Sequence, residues 1–207
     1  MSHSSHTVLP RRRAASRRRI LRRRRVGLVL AMLLALAVAV PLVSPLFNHA
    51  VEEIALPLRH EDIIRQQASE KGLDPALVAA VIYAESRFVE DRTSPAGARG
   101  LMQITPATAA DIARRSGGVA FTTRDLATPQ VNIAYGTYQL RHLLIRYGGD
   151  EAAALAAYNA GPGKADQWGG SRLRVRDIPY AETRDYVRKV LSVRLQYRSK
   201  YRRELGL

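Results

Sequence analysis

The chain contains no cysteine among its 207 residues. That excludes a disulfide framework, a thiolate metal site and a lipid-modified cysteine anchor. The absence suits an exported protein without requiring export. Five histidines are scattered (His3, His6, His49, His60 and His142) without ligand spacing, so no metal site is expected. No glycine-rich phosphate loop is present, and no cofactor is expected. Runs that alternate apolar and polar residues are lacking, which argues against strands. Acidic residues are missing from residues 1–25, and every charge is missing between Arg25 and Glu52.

These last two gaps define the N-terminal region. Residues 1–25 hold ten Arg, two thirds of the formal net charge of +15. Such a block cannot pack a core. It reads as a solvated tail, a nucleic-acid arm or the cytoplasmic flank of a membrane segment. Nucleic acid is disfavoured because no aromatics interleave the arginines for stacking. Residues 26–43 form an uncharged, mostly apolar run that spans roughly 27 Å as a helix, close to the hydrocarbon thickness of a bilayer. With all the arginines on one side, the positive-inside rule leaves the N-terminus in the cytoplasm. The expectation is a basic cytoplasmic tail at 1–25, a transmembrane signal-anchor at 26–47 and a linker at 48–58. Ala35-Leu36-Ala37 and Ala37-Val38-Ala39 have the small-x-small form of a signal-peptidase site. Export with cleavage is therefore the alternative to a single-pass anchor.

From residue 59 onward the pattern is helical, and the fold class expected is all-α with at most a minor β element near 97–103. Helices are expected near 61–71, 75–84, 106–115, 129–147, 151–158 and 181–201. Asp74-Pro75, Thr105-Pro106 and Thr128-Pro129 each place a capping residue before a proline at the first helical position, and Asp150 caps the helix at 151. The last helix is expected to bury Val187, Val190, Leu191, Val193 and Leu195. Its many basic residues read as a solvated face or as an attraction for acidic peptides and envelope polyanions.

The most informative stretch is 78–103, VAAVIYAESRFVEDRTSPAGARGLMQ. A helix that is apolar all round is buried. This one ends in a single acid, Glu85, with Val81 and Ile82 on the same face. Burial and the negative end of the helix dipole both disfavour the anion, so its pKa should be raised. A carboxyl held protonated near neutral pH suits general acid catalysis.

Four blocks in order carry a resemblance: Glu85-Ser86 with Phe88 and SPAGARGLMQITPATA at 94–109; Asn132-Ile133-Ala134-Tyr135-Gly136; ALAAYNAGPG at 154–163; and Ile178-Pro179-Tyr180 with Glu182-Thr183 and Tyr186-Val187. Together they resemble the catalytic domain of the soluble-type (family 1) lytic transglycosylases, related in fold to goose-type lysozyme. Glu90-Asp91-Arg92 departs from the Pro/Asn-containing turn common in that family. The resemblance implies a lysozyme-like catalytic domain over 59–207. It also implies non-hydrolytic cleavage of the MurNAc-β-1,4-GlcNAc bond of peptidoglycan, leaving 1,6-anhydro-MurNAc ends, with Glu85 acting first as acid and then as base. No motif supplies the second carboxylate that ordinary glycosidases use.

Substrate-binding candidates are Ser86, Met102, Gln103, Tyr158, Asn159, Glu182 and Tyr186. Ser86 reads equally as a polar helix end, Met102 as core, Tyr158-Asn159 as a helix terminus and Glu182 as a complement to a helix dipole. Gln103 offers both a donor and an acceptor. Gly97 and Gly100 suit tight turns close to a sugar. Trp168 packs on the last helix or lines a subsite. The expected location is the bacterial inner membrane with a periplasmic catalytic domain. The rival functions are a hydrolytic muramidase and a non-catalytic murein-binding module of an envelope complex.

Overall fold

A computed structural model describes residues 56–116, 122 and 124–207, all within the compact unit Ala55–Leu207. The expected tail and membrane segment lie outside the described residues. Among the described residues no helix is long and apolar enough to cross a membrane.

Among the described residues seven α-helices follow in order: α1 Glu61–Lys71, α2 Pro75–Ser86, α3 Pro106–Ser116, α4 Pro129–Arg146, α5 Glu151–Ala160, α6 Pro162–Gln167 and α7 Ala181–Lys200. Three short 3-10 turns, Asp125–Ala127, Gly170–Arg172 and Val175–Asp177, join them. No strand forms among the described residues. The expected β element is a pair of isolated antiparallel bridges, Thr93 with Arg99 and Arg99 with Ile104.

The helix starts follow the caps read from sequence, with one exception. Asp74 accepts from Ala76 N at 3.0 Å, Thr105 from Thr108 N at 3.1 Å and Asp150 from Ala153 N at 2.7 Å. Thr128 makes no side-chain cap. Its hydroxyl instead donates to Asp125 O at 2.8 Å, because the 3-10 turn just before α4 presents that carbonyl first. α5 runs two residues past its expected end, so Asn159 is helical, and α6 was not anticipated.

α2 is the hub. Every residue from Ala76 to Ile82 is buried, so the helix has no solvent face over two turns. It packs along α7 and against α1, while α5 packs on α4, α6 and α7. α7 buries Thr183, Tyr186, Val187, Val190, Val193 and Tyr197. Leu195, expected in that stripe, is 68% exposed. It lies two residues from Val193, roughly 200° around the helix, and one stripe cannot hold both.

Polar ties fix α7 to its neighbours. Arg194 reaches Asp74 at 2.6 Å and Glu151 at 2.5 Å, and Arg198 reaches Asp74 at 2.8 Å. The basic face of α7 is therefore partly structural. Residues 56–58, expected in the linker, are held to the domain. Tyr197 Oη donates to Pro57 O at 2.5 Å, Tyr201 Oη donates to Leu56 O at 2.7 Å, and Leu56 is buried.

Candidate active site

Glu85 stands on the last turn of α2, where the buried helix reaches the edge of the core. Burial pushes its pKa up from 4.5 to about 7. The Tyr186 hydroxyl, Arg92 and Lys189 oppose that rise without cancelling it. Desolvation outweighs nearby charge here because both cations are partly in water, while the carboxyl has largely left it.

The turn after α2 is built to hold this position. Arg87 and Phe88 both adopt left-handed backbone, with φ of 53° and 63°. Two consecutive non-glycine residues in that region cost roughly 1–2 kcal/mol each. Burial of the Phe88 ring against Tyr197, 6.2 Å between centroids, helps to offset this. Ser86 also fastens the turn. Its Oγ donates to Ile82 O at 3.1 Å and accepts from Phe88 N at 3.1 Å. Ser86 has no exposed surface, so its role here is to shape the helix end.

The loop of residues 99–103 is set by Asn132 on α4. Its Oδ1 accepts from Met102 N at 2.7 Å, and its Nδ2 donates to Arg99 O at 2.8 Å and Leu126 O at 2.9 Å. Gly100 has φ +76°, and a Cβ there would sit 2.2 Å from Asn132 Nδ2. Gly136, one helical turn on from Asn132, leaves room for Met102, whose sulfur would lie 2.3 Å from an added Cβ. The Met102 side chain is wholly buried, so it cannot wall a cleft as expected. Its carbonyl is the useful part, accepting from Tyr158 Oη at 2.9 Å.

Gln103 is held with φ 48°. Its Nε2 donates to Arg92 O at 3.0 Å and Gly100 O at 2.9 Å, so both amide protons serve the loop. What remains for a ligand is the Oε1 acceptor, half of the capacity expected from its chemistry.

Tyr158 and Tyr186 both feel Glu85. Burial, then the charge of Glu85, raises each phenol well above its ordinary value. Tyr186 Oη, on a side chain nine-tenths buried, is drawn toward the Glu85 carboxyl but meets no atom in hydrogen-bond geometry. The approach is polar contact rather than a made bond.

Asn159 is exposed at the end of α5, and Glu182 is exposed on the first turn of α7. The charges bearing on Glu85 are those of Arg92 and Lys189, and Glu182 is not among them. Glu90 is turned to His60 Nε2 at 2.9 Å, and Asp91 is exposed. Glu85 is thus the acid held in this environment among the described residues. Trp168 packs edge-on to Tyr180, 5.0 Å between centroids, at the rim of the core. A cavity of ≈ 500 Å³ lined by Glu70, Lys71, Gly72, Tyr138, Arg141, His142 and Ile145 includes none of the residues around Glu85.

Sequence reasoning did not single out Asn132, Gly136, Arg92 or Lys189 as site builders. Asn132 and Gly136 stood within a motif block, but their purpose depends on a loop about 30 residues away.

A helical domain that keeps one carboxyl protonated near neutral pH has the arrangement of a general-acid site. The chain belongs to the family of the transglycosylase SLT domain, whose family model matches residues 62–179. The soluble lytic murein transglycosylase of Escherichia coli K12 is 33% identical over 171 residues, covering 79% of this chain and 26% of that protein. A membrane-bound lytic murein transglycosylase C from Glaesserella parasuis is 32% identical over 135 residues, covering 56% of this chain and 37% of that protein. The chain spans about a quarter of the length of the first curated relatives it matches.

Among solved structures, an inactive Glu-to-Gln mutant of lytic transglycosylase Slt from Pseudomonas aeruginosa superposes with a TM-score of 0.68 at 35% identity. The match covers 72% of this chain and 25% of that one. The 70 kDa soluble lytic transglycosylase of Escherichia coli gives 0.68 at 33% identity, covering 79% of this chain and 28% of that one.

Proposed function

We propose that this domain is a peptidoglycan lytic transglycosylase. The observation that carries the reading is Glu85, a helix-end acid with its pKa raised to about 7 inside a domain of this family. Protonated Glu85 donates to the oxygen between N-acetylmuramic acid and N-acetylglucosamine, and the C1–O bond breaks. The 2-acetamido group of the muramyl sugar assists at C1. Glu85, now a carboxylate, takes the proton of that sugar's C6 hydroxyl as O6 bonds to C1. The products are a 1,6-anhydro ring and a free 4-hydroxyl, with no water consumed and Glu85 restored. Ring closure has the advantage of proximity. The pKa near 7 suits a group that must give and then take a proton at the same pH.

Gln103 Oε1 and the Tyr158 ring are proposed to contact the sugars, with Asn159 and Glu182 at the exposed margins and the enclosed Tyr186 hydroxyl acting on them through Glu85. Residues 26–47 are proposed as an inner-membrane anchor that holds the domain in the periplasm. The charge asymmetry of the sequence supports this, as does a relative named as membrane-bound. Mass spectrometry of murein digested by the full chain tests the activity. Anhydro-muropeptides are expected, whereas reducing muramic ends would assign a hydrolytic muramidase.

The pH dependence has a defined sign. The acid must be protonated to act, so kcat/KM should fall as pH rises through about 7. Tyr186→Phe removes a group that holds the Glu85 pKa down. Its basic limb should move to higher pH. A limb that stays in place or moves down would contradict this geometry.

A further inference from the structure

Lys200, Arg202 and Arg203 are exposed at the end of α7 and in the turn that follows it. None of them has a carboxylate partner among the described residues, whereas Arg146, Arg194 and Arg198 have theirs at 2.5–2.8 Å. Glu204 is the single acid after Asp185. Its carbonyl accepts from Arg65 Nη1, which fastens the turn to α1. The three cations line a pocket of ≈ 390 Å³ together with Glu204 and Leu207. Unpaired like charges repel, and a bound anion would relieve them.

This patch sits where the chain enters the domain. Lys200 Nζ lies 5.0 Å from the centroid of the Tyr201 ring, and Tyr201 Oη donates to Leu56 O at 2.7 Å. Only residues 48–55 separate Leu56 from the proposed anchor at 26–47. Fully extended, that tether reaches no further than roughly 30 Å. A domain of this length is about 40 Å across. A tether shorter than the domain favours the face around Leu56 for contact with a bilayer. The site around Glu85 stays free of that contact. Arg198 meets Asp74, which caps the start of α2, and Glu85 stands on the last turn, roughly 16 Å along the helix.

We propose that Lys200, Arg202 and Arg203 dock the domain on anionic phospholipid headgroups of the membrane that holds residues 26–47. The inference rests on the reading of those residues as an anchor. Docking confines cleavage to murein close to the membrane surface. Each basic side chain near an anionic surface is worth about fivefold in affinity, so three suffice to hold a domain that is already tethered.

The test reads Lys200 directly. The full chain is placed in lipid nanodiscs, either wholly zwitterionic or with about a third phosphatidylglycerol, and treated with a neutral amine-acylating reagent. Lys164, exposed on α6, is the internal reference. Relative to Lys164, Lys200 should react at least about fivefold more slowly in anionic discs than in zwitterionic ones. The difference should shrink to within about twofold near 0.5 M salt, where screening is short-ranged. Arg202→Gln/Arg203→Gln should shrink it as far at low salt, with cleavage of soluble murein fragments unchanged.

Equal Lys200 reactivity in the two kinds of disc overturns the docking surface and leaves the anchor standing. Slowing that survives the double substitution also overturns it. The same slowing by inorganic phosphate on zwitterionic discs makes the patch a free-phosphate site and overturns the membrane contact. Recovery of the full chain outside the discs overturns the anchor, and the docking with it. The lipid comparison on the parent needs no substitution, so a poorly folded variant does not blunt the result.

Discussion

Glu85→Gln should abolish murein clearance, lowering kcat by at least about a thousandfold while the fold survives. A positioned general acid or base contributes about 10²–10⁴ in rate. In the proposed cycle one carboxyl serves both steps, so its loss belongs at the upper end of that range. Glutamine keeps the shape but can neither donate the proton to the leaving oxygen nor accept one from O6. The same change has a stability signature of opposite sign. The folded pKa of about 7 stands above the ordinary 4.5. As pH rises between these values the unfolded chain gives up its proton first, so stability falls through that window and levels off above it. The glutamine variant escapes that loss. It should be more stable than the parent at pH 8, on the order of 3 kcal/mol, and similar at pH 4. Chemical unfolding at the two pH values and a zymogram on the same preparation check both halves. A variant that clears murein at a tenth of the parental rate or better would remove Glu85 from the chemistry.

Asn132→Ala is expected to give the largest loss of stability, about 3 kcal/mol, together with most of the activity. The side chain is almost wholly enclosed and makes three hydrogen bonds to backbone groups of Met102, Arg99 and Leu126. Truncation leaves one N–H and two carbonyls without it, and each unsatisfied buried group costs about 1–3 kcal/mol before relaxation. Such a loss is a large share of the 5–15 kcal/mol typical of a domain. The effect should reach the chemistry because residues 100–103 hang from this amide and hold Arg92 and Tyr158, both of which interact with Glu85. Asn132→Asp sharpens the test. It retains the acceptor for Met102 N but turns a carboxylate toward two carbonyl oxygens. Its penalty should be at least as large at neutral pH and should shrink in acid, where the protonated group can donate again. Denaturant midpoints within about 1 kcal/mol of the parent for Asn132→Ala would contradict the role assigned.

Both results bear on how the site can be read. The environment of Glu85 was legible because it is local: the apolar residues that desolvate it lie on its own helix, at i−3 and i−4. That Ser86 and Met102 have buried side chains was not legible, for the complementary reason. A polar or thioether side chain beside a catalytic residue can point outward or inward, and neighbours in sequence do not choose between them. Here the turn after α2 consumes the serine hydroxyl, and Gly136 admits the methionine. Nor was it legible that the loop takes the Gln103 donors and leaves its acceptor.

The sequence by itself determined the helical class, most of the helix starts, the single acid and the direction of its pKa. Each of these follows from interactions within a few residues: a cap, a proline, a glycine stop or an apolar turn. Only the tertiary structure decided what surrounds that acid. Tyr186 and Lys189 arrive because α7 packs along α2, and Arg92 arrives because Gly100 and Gln103 bind its carbonyl. Asn132 acquires its purpose by reaching a loop about 30 residues away. Burial of a helix end is written in its own periodicity. The charges and amides that meet there depend on which faces pack, and that choice is made by the whole core at once.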